Sequence, residues 1–188
     1  MIIIHKKKAL FIHIHRTGGS SIISLLKKAL PNQVDVIAQH GNASTMEKQL
    51  LTTYADYFIF SIVRNPWDRL LSWYSLLHKS DPTPIEAERL RFEQFLLTIT
   101  HDDGNDSSLC NQLDYFNTLN LDKIHIYRYE QYAKETQRMA KKLGITITDI
   151  PRVNETSSKN YQDYYTKKSK ALVTEKCARD IAYFGYTF

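Results

Sequence analysis

The chain has 188 residues, of which 43% are hydrophobic and 24% charged, a composition typical of a folded globular protein with one substantial core. The formal net charge of +5 favours an anionic ligand. The Lys and Arg residues are spread along the chain, however, without the concentrated stripe of a nucleic-acid binder. Apolar runs fall short of the ~20 residues that span a bilayer, and the two cysteines form no disulfide framework. We therefore expect a single domain, residues 1–188, in the cytoplasm, without membrane insertion or nucleic-acid binding.

Three stretches in the first half of the chain are rich in β-branched and aromatic residues and predict strands over residues 9–14, 34–38 and 57–63. The third stretch is almost continuously apolar, as expected for a strand buried on both faces. A helix is predicted after the first strand, with Ser20 or Ser21 as its N-cap and Pro31 as its stop. A second helix is expected over about residues 44–53.

The second half of the chain begins with a strong helix signal, in which Asn65 is the cap, Pro66 the first helical residue and Asp68 an early acid. Further helices are predicted over residues 85–99, 130–143 and 167–184, with a strand at 123–127. Gly144 and Gly185 end the last two helices. This alternation predicts an α/β fold of three layers, a mainly parallel central sheet flanked by helices on both faces.

The junction between the first strand and its helix, HRTGGSS at residues 15–21, carries more polar groups than a turn requires. Exposed backbone N–H groups at the N-terminus of a helix bind phosphate or sulfate. The candidate ligands in this loop are a cation, two glycines and three hydroxyl residues: Arg16, Thr17, Gly18, Gly19, Ser20 and Ser21. The loop is not a Walker A motif, because its cation precedes the glycines and no lysine follows until Lys27.

A second polar cluster follows the apolar strand, in SIVRNPWDRLLSWY. Arg64 at the strand end can bind a phosphate in a bidentate manner, and Ser72, two turns into the helix, can donate its hydroxyl to the same group. A magnesium-dependent phosphoryl-transfer enzyme would carry an acid at such a strand end, so we expect no metal here. Arg69 is expected at the surface, paired with a nearby acid or with solvent. Both clusters follow strand ends, where ligands bind in parallel sheets.

Taken together, these two stretches resemble the PAPS-dependent sulfotransferases (PAPS is 3′-phosphoadenosine-5′-phosphosulfate), particularly the carbohydrate type. That family has a P-K-T-G-G-T-S-like loop for the 5′-phosphosulfate and an R-N-P-x-x-R-x-x-S-x-Y segment for the 3′-phosphate. Here they stand as HRTGGSS and RNPWDRLLSWY, with His15 and Arg16 in place of the usual proline and lysine. The YRYE segment at 127–130 and the closing DIAYFGY also look like family segments, so the resemblance covers most of the chain.

The resemblance implies a single-domain P-loop-like fold and transfer of a sulfuryl group from PAPS to an acceptor hydroxyl, with a carbohydrate as the expected acceptor. PAP, 3′-phosphoadenosine-5′-phosphate, is then the product, and no metal is needed. The same resemblance assigns the loop residues 16–21 to the 5′-phosphosulfate, and Arg64 and Ser72 to the 3′-phosphate. Arg16 is also assigned to catalysis, because a permanent cation stabilises the charge on a leaving phosphate.

A general base is needed to take the proton from the acceptor hydroxyl, and a histidine suits that task. His40 follows the predicted strand 34–38 and so lies at the ligand-binding edge of the sheet. In related carbohydrate sulfotransferases a histidine in a similar place, upstream of the 3′-phosphate motif, looks like the base. His40 is therefore the predicted base, and His15, which adjoins the loop, is the alternative.

Two other function classes remain open. One is a phosphoryl-transfer enzyme of P-loop ancestry, which the missing Walker lysine and magnesium-binding acid disfavour. The other is a non-catalytic nucleotide-binding or sulfated-glycan-binding protein, which the replacement of the usual lysine by Arg16 keeps open.

Overall fold

The structure, a computed structural model, describes residues 1–37, 53–78, 84–99, 110–116, 119–150 and 160–188. In these ranges one sheet contains five strands in the order β3-β1-β2-β4-β5. The strands are β1 Ile2–Ile4, β2 Ala9–Ile12, β3 Val34–Val36, β4 Phe58–Val63 and β5 Ile124–Arg128. The predicted helix at 44–53 and the end of the predicted strand at Ala38 lie outside the described residues, except for Thr53.

The sheet is mainly parallel, as predicted. β2, β4 and β5 pair in parallel, whereas β1 is antiparallel to both of its neighbours, β2 and β3. Four of the five strands therefore run in one direction, and β1 alone is reversed. The sequence pattern missed β1, because three consecutive isoleucines show no alternation that could distinguish a strand from a helix.

Six α-helices occur in the same ranges: α1 Gly19–Ala29, α2 Pro66–Leu77, α3 Ile85–Thr98, α4 Tyr132–Leu143, α5 Lys167–Lys176 and α6 Ala178–Phe184. Alternate residues of β2 point to opposite faces of the sheet. Leu10 and Ile12 belong to a core shared with α2, α3, α5 and α6, whereas Phe11 belongs to a core shared with α1 and α4. Helices thus cover both faces and complete the three predicted layers. None of the helices in the described ranges combines the length and the apolar character needed to cross a bilayer.

Most predicted helix ends are confirmed. The Asn65 side chain accepts a hydrogen bond from the Trp67 N–H at 3.1 Å and caps α2, and Pro66 is its first residue. Gly144 and Gly185 end α4 and α6 in the left-handed conformation, with φ of 60° and 66°. The predicted cap of α1 is wrong, because Gly18 precedes the helix at φ 80°. Ser20 and Ser21 lie inside the first turn, where they can face a ligand.

The single predicted helix over residues 167–184 is also wrong, since it breaks at Cys177 into α5 and α6. Neither glycine nor proline marks the break. Instead, the fully buried Asp180 accepts hydrogen bonds from the backbone N–H groups of Gln112 and Leu113, which hold α6 in place by tertiary contacts. A local sequence pattern cannot carry this long-range constraint.

Candidate functional site

The loop between β2 and α1 is shaped by two glycines at close contacts. At Gly18 a Cβ atom would lie 2.7 Å from the Tyr132 ring, and φ is +80°. At Gly19 a Cβ would lie 2.0 Å from the ring of His13, which is itself buried. The hydroxyl of Tyr132 donates to the Gly18 carbonyl at 2.9 Å, and burial raises the pKa of this phenol. The absence of side chains at both glycines brings the backbone of the loop close to β2 and α4.

Thr17 stabilises the loop from within. Its side chain is fully buried, and its hydroxyl donates to the Ile14 carbonyl at 2.9 Å. This hydroxyl is therefore used by the loop itself, whereas the sequence suggested that it would be offered to a ligand. Thr17 is not among the residues that line the neighbouring cavity.

Arg16 joins the two polar clusters. Its backbone has φ +65°, a left-handed conformation that is uncommon outside glycine. The Arg64 guanidinium donates to the Arg16 carbonyl at 3.1 Å. The Arg16 guanidinium in turn donates to the Ser72 hydroxyl from Nε and Nη2, at 3.1 and 2.8 Å. Burial and the neighbouring charge of Arg64 both lower the pKa of Arg16. The two arginine side chains therefore meet next to the loop.

Arg64 lies just beyond β4 and is held from several sides. Its Nε and Nη2 donate to the two carboxylate oxygens of Asp68 at 2.7 and 2.8 Å. The Tyr129 ring lies 4.1 Å from its Cζ, a cation–π contact. The backbone N–H of Arg64 donates to the Gln112 side chain at 2.8 Å, and the Arg64 carbonyl accepts from the same side chain at 2.8 Å. The guanidinium is thus fixed before any ligand arrives.

A cavity of about 1070 Å³ opens beside these groups, on the side of the sheet where the parallel strands end. The predicted site residues that line it are Arg16, Gly18, Gly19, Ser20, Ser21 and Arg64. Ser72 does not line the cavity, and its hydroxyl accepts the hydrogen bonds of Arg16. His15 does line the cavity, and its ring packs edge-on against the Trp73 ring with the centroids 5.4 Å apart. His40, the predicted base, lies outside the described residues.

The sequence missed a second wall of the cavity, formed by the residues around α4. Tyr129, Tyr132 and Lys134 line it from the beginning of the helix, and residues 147–150 from the segment that follows. The YRYE segment was the available signal for this wall, because it places two aromatic residues and an acid at the end of a strand. Glu130 of that segment lines the cavity and accepts a hydrogen bond from the Asn65 N–H.

The expectation for Arg69 is wrong. Its side chain is one of the largest fully buried ones in the described residues, at 1% exposure, and its guanidinium donates to the Cys110 carbonyl. α2 packs this face against the core, so an arginine here is a structural residue with an internal acceptor. The fully buried Gln112 was also missed, and its signal was the polar pair Asn111-Gln112 within a largely apolar stretch. Asp180 is the first residue of the DIAYFGY segment, but its contacts with Gln112 and Leu113 were not predicted.

The donor set of the cavity favours an anion. In the ranges that the structure describes, no three His, Cys, Asp or Glu side chains come close enough together to hold a metal ion. The groups offered by the loop and by β4 are guanidinium, hydroxyl and backbone N–H donors, which suit phosphate or sulfate oxygens.

An α/β fold with a glycine-containing strand-to-helix loop at the strand ends is typical of proteins that bind nucleotides. The chain belongs to the sulfotransferase family, because the family model described as "Sulfotransferase family" matches residues 1–187. Its fold is similar to the crystal structure of mouse sulfotransferase SULT7A1 complexed with PAP, with a TM-score of 0.56 and 15% sequence identity. That match covers 96% of this chain and 89% of the mouse chain. No curated protein sequence matches the chain.

Proposed function

We propose that the protein, as one domain over residues 1–188, transfers a sulfuryl group from PAPS to a hydroxyl of a carbohydrate acceptor and releases PAP. The observation that carries the proposal is the junction of the two motifs: Arg64 donates to the Arg16 carbonyl, and Arg16 donates to the Ser72 hydroxyl. In a member of the sulfotransferase family, these contacts join the segments expected to hold the two phosphate ends of one nucleotide. We also propose a cytoplasmic location, which suits the free buried thiols of Cys110 and Cys177.

The residues present fit PAPS. Gly18 and Gly19 let the loop pack closely against Tyr132 and His13, and the loop residues Gly18, Gly19, Ser20 and Ser21 line the cavity at the beginning of α1, where a helix N-terminus favours the phosphosulfate end. Arg64, supported through Ser72 and Arg16, would hold the 3′-phosphate. The mouse sulfotransferase of similar fold was crystallised with PAP. PAPS supplies an activated sulfuryl group whose leaving group is the stable phosphate of PAP.

Arg16 has the task that falls to a lysine in most of the family. Its guanidinium carries a permanent charge and does not release a proton. It therefore acts by stabilising negative charge on the leaving phosphate oxygen. A single neutral hydroxyl, that of Ser72, holds the guanidinium in the described contacts, so Arg16 can exchange this acceptor for a more strongly charged one.

His40 is the proposed general base, which takes the proton from the acceptor hydroxyl as that oxygen attacks sulfur. His15 is the alternative, supported by its place in the lining of the cavity beside Arg16. The two histidines are tested separately, because only one of them is required for proton removal.

The experiment is transfer of radiolabelled sulfuryl from PAPS to a panel of glycans, with and without magnesium. We expect metal-independent transfer, with kcat lowered ~10²–10³-fold in Arg16→Ala and ~10²–10⁴-fold in His40→Ala, while His15→Ala stays close to wild type. Tight PAP binding without transfer to any acceptor would instead identify a nucleotide-binding protein, and strict magnesium dependence a phosphoryl-transfer enzyme. Either result would contradict the proposal.

A further inference from the structure

The backbone of Arg64 lies where the ladder of β4 ends. The last pair of the β4–β5 ladder joins Val63 and Arg128. On the other side of β4, the ladder with β2 ends two residues earlier, at the pair of Ile12 and Ser61. At Arg64 the Gln112 carboxamide replaces the missing strand. Its Oε1 accepts from the Arg64 N–H and its Nε2 donates to the Arg64 carbonyl, both at 2.8 Å. One side-chain amide thus satisfies both backbone groups of this residue, as the peptide group of a further strand would.

Asp180 on α6 fixes the orientation of this carboxamide, that is, the positions of its oxygen Oε1 and its nitrogen Nε2. Its Oδ2 accepts from Gln112 Nε2 at 2.9 Å and from the Gln112 backbone N–H at 2.7 Å, and its Oδ1 accepts from the Leu113 N–H at 3.0 Å. Because a carboxylate accepts and cannot donate, Nε2 must face Asp180. Gln112 and Asp180 are both fully buried, so neither hydrogen bond is exchanged readily for water.

The geometry points to a positioning role: we propose that Gln112, oriented by Asp180, sets Arg64 for the 3′-phosphate of the sulfuryl donor. This inference rests on the proposed function, in which Arg64 is the ligand of that phosphate. Gln112 does not line the cavity, so it acts only through Arg64. Since the guanidinium of Arg64 is held by Asp68 and by the Arg16 carbonyl, a shift of its backbone strains these contacts as well.

Recognition of the 3′-phosphate gives a direct readout of this role. PAP carries the 3′-phosphate and AMP lacks it, and the two are otherwise the same nucleotide. The ratio of the AMP dissociation constant to the PAP dissociation constant therefore reports the 3′-phosphate contact alone. A general loss of stability weakens the binding of both nucleotides by the same factor and leaves the ratio unchanged. A misplaced Arg64 weakens PAP binding more than AMP binding and so lowers the ratio.

The experiment measures this ratio by isothermal titration calorimetry for the full chain and its variants. Gln112→Met keeps the length of the side chain and removes both polar groups, and Gln112→Ala gives a second, smaller replacement. Ser169→Ala is the matched control, because Ser169 is also fully buried but its hydroxyl bonds to Thr166, the N-cap of α5, and to none of Asp180, Gln112 and Arg64. Each variant is checked for folding by its melting temperature and near-ultraviolet circular dichroism.

We expect the ratio to fall about tenfold in both Gln112 variants and to stay at the wild-type value in Ser169→Ala. The positioning role is overturned if a folded Gln112 variant keeps the wild-type ratio while Arg64→Ala lowers the ratio to about one. It is also overturned if Ser169→Ala lowers the ratio as much as Gln112→Met. A wild-type protein that binds AMP and PAP equally contradicts the proposed function itself, and the positioning role with it.

Discussion

The two arginine-bearing segments at the cavity differ in how firmly they are held. Arg64, at the end of β4, is bound by the Asp68 carboxylate, stacked on Tyr129 and fixed through its backbone by Gln112. The side chain of Arg16, in the loop between β2 and α1, contacts a neutral hydroxyl, that of Ser72. The β4 side of the cavity is therefore built in advance, and the guanidinium on the loop side is held by a weaker acceptor.

This difference matches the two tasks of a group-transfer site. A phosphate that remains unchanged through the reaction is best recognised by a cation already in position, because no ordering is required on binding. Charge that develops only as a bond breaks needs a cation that can transfer its hydrogen bonds to the leaving oxygen. The contrast between Arg64 and Arg16 supports the proposed division, in which Arg64 recognises the nucleotide and Arg16 acts in catalysis, and variants on each side test this division.

The largest effect is expected from Arg64→Ala. This change removes the proposed 3′-phosphate ligand and leaves the Asp68 carboxylate without its cation, so we expect PAP affinity to fall by about 100-fold. AMP affinity should change far less. Arg64→Lys is the control, since lysine keeps the positive charge but cannot form two parallel hydrogen bonds to a phosphate or a carboxylate. Calorimetric titration of both nucleotides measures the effect, and equal losses of PAP and AMP affinity would contradict the role assigned to Arg64.

A smaller effect is expected from Gly19→Ala on the loop side. The added Cβ would lie 2.0 Å from the His13 ring, so either the loop or the ring must move, at a cost of about 1–3 kcal/mol in the free energy of unfolding. The double variant His13→Ala with Gly19→Ala should recover part of this loss, because it removes the clashing ring. Urea denaturation measures both. Additive losses in the double variant would show that His13 does not restrict this position.

Ser72→Ala should have the smallest effect on binding. The variant removes the hydroxyl that holds the Arg16 guanidinium, but the Arg64 contact to the Arg16 carbonyl remains. We expect PAP affinity to change by a few-fold at most, because the variant removes the acceptor of two Arg16 hydrogen bonds but leaves the Arg16 cation in the site. Ser75→Ala, one turn further along α2, is the control. A loss as large as that of Arg64→Ala would mean that Ser72 and Arg16 are as firmly built into the nucleotide site as Arg64.

Much of the fold could be predicted from local patterns. The apolar run of β4, the Asn65-Pro66 start of α2 and the glycine at the end of α4 each carry a physical signal within a few residues. Both polar clusters were placed correctly at strand ends for the same reason, since a loop between a strand and a helix is visible in the sequence. The position of these clusters beside one cavity follows from the parallel pairing of β2 with β4.

The features that the sequence did not predict depend on distant contacts. In the sequence Arg69 cannot be distinguished from a surface arginine, because its acceptor, the Cys110 carbonyl, is far away along the chain and lies beside it only in the folded protein. The helix break at Cys177 and the hydrogen bonds of Gln112 to the Arg64 backbone both involve contacts of Asp180, which meets Gln112 only in the folded chain. Buried polar residues of this kind have no periodicity of their own, so only their partners reveal what they do.

The central claim is that Arg64 and the β2–α1 loop together form a metal-independent site for a nucleotide with a 3′-phosphate. The most direct test is calorimetric titration of the wild-type protein with PAP and with AMP in the presence of EDTA. The account predicts saturable binding of PAP that does not require a metal, together with clearly weaker binding of AMP. Absence of PAP binding in EDTA, or equal affinity for the two nucleotides, would contradict it.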